Sequence, residues 1–136
     1  MSTLEFRCHP GIGEPVGGEA LVADDNFSAR YDLNRIEGVF SRPQHKLYGQ
    51  SYVGKILVLN AAKGGVATAW MFHAMKSIDV IPKALLLNFA NPILAQGAAF
   101  AGFPLLDRFD GDITAQIETG DRVEVFPKEG RVVVTR

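Results

Sequence analysis

The sequence predicts an α/β domain: a central βαβαβ unit forming a parallel sheet, with antiparallel β-hairpins at the ends. Three observations carry this. Two apolar, β-rich runs, GKILVLN (Gly54 to Asn60) and KALLLNF (Lys83 to Phe89), each lead through a turn into a helical pattern. Runs with no polar alternation mark strands buried on both faces. A third short run, FPLLDRF (Phe103 to Phe109), follows the second helix. Strand, helix and strand joined by short connections imply right-handed crossovers and a parallel sheet. Finally, DRVEVFPKEGRVVVTR (Asp121 to Arg136) alternates Val123, Val125, Val132 and Val134 around a Pro-Lys-Glu-Gly turn, which is a hairpin pattern.

Along the chain, EPVGGEALVADD (Glu14 to Asp25) alternates around Ala20, Leu21 and Val22 and reads as a strand that Asp24 and Asp25 end. Phe27 to Ser51 shows neither helical nor strand period. It sets Arg30, Arg35, Arg42, His45 and Lys46 among Tyr31, Phe40 and Tyr48. Long irregular segments in small domains tend to carry function, and aromatic anchors argue for an ordered loop that packs on something. Gly64-Gly65 make the turn after the first buried strand, and Val66 to Ile78 reads as a helix. Its apolar groups at Val66, Trp70, Met71, Ala74, Met75 and Ile78 fall near a 3.6-residue period. Lys76 suits the helix C-terminal dipole, and Pro82 stops any extension. The second helix starts with Asn91 as N-cap and Pro92 in the first turn, and Gly102 suits its end.

A chain of 136 residues reads as one domain, residues 1–136, long enough to bury a core. A net charge of −1 gives no basic field for nucleic acid or anionic lipid. The single cysteine, Cys8, excludes an internal disulfide framework. The first residues lack the apolar core of a signal peptide, and the longest mostly apolar run, Ile93 to Leu106, is too short and glycine-rich to span a bilayer. The expectation is a soluble cytoplasmic protein with neither membrane nor nucleic-acid partner. Cys8-His9, His45 and His73 show no metal-ligand spacing, so this chain is expected to hold no metal.

The turn Lys63-Gly64-Gly65 lies between a parallel strand and a helix start, where open α/β sheets place ligands. The free N–H groups of Val66 and the residues beside it, the positive dipole end and Lys63 suit a carboxylate or phosphate. Equally, the two glycines suit a tight turn and nothing more; both readings fit the spacing. The turn fits neither a Walker A motif nor a dinucleotide fingerprint. Asn88 ends the second strand on the same edge, either as a ligand contact or as a tie between loops. His73 is read as a packing or surface residue; Asp107, Arg108, Asp110 and Asp112 either line the same edge or, the favoured reading, form a solvated acidic loop. Thr68 is the weak candidate for a catalytic hydroxyl, with nothing beside it in sequence to activate it. The pattern points to a domain that completes a site on a partner.

Two resemblances bear on this. GGVATAWMFHAMKSIDVIPKALL is similar in shape to the swivelling phosphohistidine domain of phosphoenolpyruvate-using enzymes, but the catalytic histidine position falls at Ala69. This implies a swivelling β/β/α fold and argues against phosphoryl transfer. More closely, the chain resembles the swivel domain, or small subunit, of aconitase X-type hydro-lyases. The landmarks are GGEALV (Gly17 to Val22), HKLYGQSYVGKILVL (His45 to Leu59), the Lys63-Gly64 turn, PKALLLN (Pro82 to Asn88), PILAQGAAFAGFPLLDRF (Pro92 to Phe109) and GDRVEV (Gly120 to Val125). The resemblance implies a large catalytic subunit carrying an iron–sulfur cluster or metal, with no cofactor in this chain. It also implies a small hydroxy acid substrate such as cis-3-hydroxy-L-proline or 5-phosphomevalonate. Lys63, Gly64, Gly65, Val66 and Asn88 would then contact the substrate, and Arg30, Arg35, His45 and Tyr48 would lie in the partner interface. An isolated subunit would expose that surface and suit a homo-oligomer. Family members usually carry serines where this chain has Gly65 and Ala69. The alternative reading is therefore a non-catalytic swivel-fold module that has lost the family serine.

Overall fold

A computed structural model describes residues 2–62 and 66–136, and the side chains of all of these except residues 29, 30, 66–69 and 100. In chain order the elements are β1 (Thr3–Arg7), β2 (Val16–Val22), α1 (Ala29–Asp32), β3 (Leu33–Asn34), β4 (Val39–Phe40), β5 (Ile56–Ala61), α2 (Val66–Ser77), β6 (Ala84–Phe89), α3 (Pro92–Phe100), β7 (Leu105–Leu106), α4 (Ile113–Gln116), β8 (Arg122–Phe126) and β9 (Arg131–Thr135). Among the described residues, no helix is long and apolar enough to cross a membrane.

One sheet runs in the order β1-β9-β8-β2-β5-β6-β7. The β5, β6 and β7 strands are parallel, as the two crossovers require. Strand β2 is the junction. Its first residues, Val16 to Glu19, pair antiparallel with β8, and its last, Ala20 to Val22, pair parallel with β5. The C-terminal hairpin forms where its alternation places it, closed by a short 3-10 turn and by Gly130 in the left-handed region (φ 60°). The N-terminal strands do not form a second hairpin with each other. Strand β1 pairs with β9 and β2 with β8, so the two clasp the C-terminal hairpin from either side. TLEFR carries no local signal for this, because its partner lies more than a hundred residues away.

The sheet has a core on each face. On one side Leu57, Leu59, Leu85 and Leu87 pack against Phe27, Phe40, Tyr52, Phe72, Met75, Leu94 and Phe103. On the other, Ile56, Val58, Ala84 and Leu86 meet Leu106, Ile113, Ile117, Val123, Val125, Val132 and Val134. Each large aliphatic side chain taken fully from water contributes about 1.5–3 kcal/mol. The irregular Phe27-to-Ser51 segment is ordered as expected: Phe27, Phe40 and Leu47 are buried, and Phe27 stacks on Phe72 at 6.0 Å.

The buried face of α2 is not the one the sequence period suggests. Phe72 and Met75 are buried and Met71 is half-buried, whereas Ala74 and Ile78 are exposed and Trp70 is 70% exposed. Trp70, Met71 and Phe72 are consecutive and apolar, so composition leaves the rotation undetermined. Phe103, 5.1 Å from Phe72, and Phe27 decide it by filling the space under the helix.

Candidate functional site

Because β5 and β6 are buried along most of their length, polar side chains emerge only where these strands end. Both runs close on asparagine, and the parallel register that pairs Leu59 with Leu87 sets Asn60 beside Asn88. The amide nitrogen of Asn88 donates to Asn60 Oδ1 at 3.0 Å and to Asp112 Oδ1 at 2.8 Å. Its carbonyl accepts the Ile113 N–H at 2.8 Å. Both amide hydrogens of Asn88 are therefore spent on protein acceptors, and the side chain ties three loops together. Of the two roles open to Asn88, the geometry assigns the tie.

Asp112 caps α4, accepting from Thr114 N–H at 3.0 Å and Thr114 Oγ1 at 2.7 Å. The Thr114 hydroxyl and the Asn88 amide hold its carboxyl below the usual range. Asp107 Oδ2 accepts the Ala90 N–H at 3.0 Å, pinning the loop between β6 and α3. The acidic stretch after β7 is thus not simply solvated; two of its three aspartates are structural acceptors.

On the other side of Asn60, its amide donates to Asn26 Oδ1 at 3.4 Å and its N–H to the Asp25 carbonyl at 2.8 Å. Burial raises the Asp25 carboxyl, but the N–H groups of Lys46 and Asn26 and the nearby His45 and Arg42 more than offset this, leaving it below the usual range. His45 anchors this loop from beneath. Its Nδ1 accepts the Leu47 N–H at 3.0 Å, which leaves the hydrogen on Nε2 to donate to the Asn26 carbonyl at 2.8 Å. The ring stacks on Phe40 at 4.6 Å, and its side chain is completely buried. The expected place of His45 in a partner interface is therefore corrected: it is an internal strut, because a buried ring with both nitrogens engaged presents nothing to a partner.

The other residues named from sequence fall as follows. Lys63, Gly64 and Gly65 lie outside the described residues, as do the side chains of Val66, Thr68 and Arg30. Val66 opens α2 at this same edge, and the first turn of any helix leaves N–H groups without intrahelical partners. Arg35 reaches Met71 Sδ at 3.3 Å and so packs against α2. Tyr48 is 53% exposed. His73 is exposed, edge-on to Trp70. Among the described residues no group of three or more His, Cys, Asp or Glu could hold a metal. Cys8 is half-buried, and burial together with the Asp107 charge pushes its thiol up to about 12, so it is no thiolate ligand at neutral pH.

Sequence reasoning passed over Asn60 and read Asp112 and Arg108 as part of a solvated loop. For Asn60 the signal was present: two buried runs, each ending in asparagine, align in parallel register.

The model of the aconitase X swivel domain matches residues 5–134 of this chain. The chain belongs to the aconitase X swivel-domain family. A protein named phosphomevalonate dehydratase small subunit from Methanococcoides burtonii is 32% identical, the match covering 97% of this chain and 96% of that one. One of the same name from Pyrococcus horikoshii is also 32% identical, over 91% of each. The holo crystal structure of Thermococcus kodakaraensis aconitase X superposes with a TM-score of 0.89 at 26% identity, covering 98% of this chain and 99% of that one. In this swivel domain the edge formed by the ends of β5, β6 and β7 and the start of α2 is where the fold concentrates converging polar groups.

Proposed function

We propose that this swivel domain is the small subunit of a two-subunit hydro-lyase that removes water from a phosphorylated hydroxy acid of the 5-phosphomevalonate type. The observation that carries this reading is the end-to-end likeness to relatives named phosphomevalonate dehydratase small subunit, with nearly all of both chains covered. The geometry supports a contributing role. The first turn of α2, beside the asparagine-tied edge, leaves N–H groups that suit an anion, while no described nucleophile–base pair lies there for independent chemistry. The domain would work in the cytoplasm, docked on a large catalytic subunit and closing over the substrate. Lys63, Gly64 and Gly65 would meet an anionic substrate group. With Gly65 and Ala69 at the positions where the resemblance implies serine, the acid–base group belongs to the large subunit in this reading. So does the iron–sulfur cluster or metal, for which the described residues here offer no ligand set.

Co-expression with a large aconitase X-type subunit, followed by an NMR assay of 5-phosphomevalonate dehydration, tests the proposal. A stable complex that turns over while neither subunit does alone is the expected result. Failure to co-purify, or a complex inert toward hydroxy acids, would overturn it.

A further inference from the structure

We infer that Arg108 is a contact for an anionic group of the substrate, an inference that rests on the proposed function. The observation is an arginine held in place at considerable conformational cost and left with unused donors. Arg108 follows β7 with φ at 65°, the left-handed region that side chains with a Cβ disfavour. That turn of the backbone points its N–H at the Asn88 carbonyl, 3.3 Å away. It also lays the guanidinium over the Phe89 ring, 4.4 Å from the centroid. Nε lies 3.5 Å from Asp107 Oδ2, and the side chain is half exposed. Of the five guanidinium N–H groups, four are on the terminal nitrogens, and among the described residues no acceptor meets them.

Among the described residues, the loops 23–28, 60–62, 88–91 and 107–112 of this edge hold one cation, Arg108, and five carboxylates, Asp24, Asp25, Asp107, Asp110 and Asp112. The carboxylates of Asp25, Asp107 and Asp112 are each turned toward backbone N–H donors. Phe89 pairs with Ala61 in the sheet register, and its carbonyl accepts the Ala62 N–H. The guanidinium is therefore stacked beside the strand end that leads into α2. A planar fork fixed on an aromatic face suits two parallel hydrogen bonds to a phosphate or carboxylate and loses little freedom on binding.

The test uses the two-subunit complex and the variants R108Q, R108K and R108G. Turnover by the wild-type complex is established first, so that failure of the functional reading is seen separately. With R108Q the KM for 5-phosphomevalonate should rise about 10- to 100-fold, the usual weight of charged hydrogen bonds, with kcat within about threefold. R108K should lie between. R108G removes the side chain while relieving the left-handed backbone, so its KM should rise as in R108Q although its Tm is unchanged or higher. Mevalonate separates the two anions. A phosphate contact leaves the KM for mevalonate unaffected by R108Q, and a carboxylate contact raises both values together. Unchanged KM for both compounds, or loss of kcat and Tm with no change in KM, would overturn the inference. If the wild-type complex is inactive, inorganic phosphate titrated into the small subunit reads the same contact. Shifts of the Phe89 and Ala90 amides in wild type that vanish in R108G support it, and identical titrations refute it.

Discussion

In the antiparallel half of the sheet, β8 and β9 bury every second residue, Val123, Val125, Val132 and Val134, and turn the others outward. In the parallel half, four successive residues of β5 and four of β6 are buried before either strand reaches a polar side chain. The first half can meet water anywhere along its length. The second meets water only at its ends, so its asparagines, aspartates and Arg108 collect on one edge. Where the site lies follows from this difference in burial.

The largest expected effect sharpens that contrast in stability. Phe72→Ala opens a cavity beneath α2 against the parallel half and should cost about 3–5 kcal/mol, whereas Val134→Ala in the ribbon should cost about 1–3 kcal/mol. Urea unfolding of the two variants checks this, and equal losses would erase the distinction. Next is Asn88→Ala, which leaves the Ile113 N–H without its acceptor and unties Asn60 from Asp112. A loss of about 1–3 kcal/mol is expected. Hydrogen exchange should speed up at Ile113 and Thr114 while Val123 to Val134 stay protected; uniform acceleration would contradict the separation of the halves.

Acid should act in the same place. Asp25 and Asp112 have carboxyls held below their ordinary value in the folded protein. Unfolded, they recover an ordinary value near 3.8. Their stabilisation is then fully present above that pH. As the pH falls through the lower folded values, the unfolded chain has bound protons first and the advantage is lost. An NMR titration should show the amides of Asn26, Lys46 and Thr114 responding below pH 3.8 before those of the ribbon; a simultaneous collapse would count against it. The smallest effect is Trp70→Ala. This exposed side chain should change stability by no more than about 0.5 kcal/mol in calorimetry, and a larger loss would show that α2 packs differently.

Much of this was legible in sequence. The hairpin announces itself by alternation, the buried strands by its absence, and α3 by Asn91, whose Oδ1 accepts the Leu94 N–H at 2.9 Å. Strand β1 was not, since its pairing is long-range. The face of α2 was not, since three adjacent apolar residues offer competing rotations. The role of His45 was hidden for a different reason: a histidine among arginines reads as surface, and only packing against Phe40 makes it a strut. Arg108 reads as part of a solvated loop because its left-handed backbone angle and the ring beneath it are not reported by a one-dimensional pattern.

The pairing of β1 with β9 has a consequence for how the protein is made. Ser2 and Arg136 exchange two backbone hydrogen bonds, of 3.0 and 2.9 Å. Strand β9 stands between β1 and β8. During synthesis β1 must therefore wait until β9 has left the exit tunnel. The parallel half can assemble before β8 and β9 are made, but the clasp closes only once β9 has emerged.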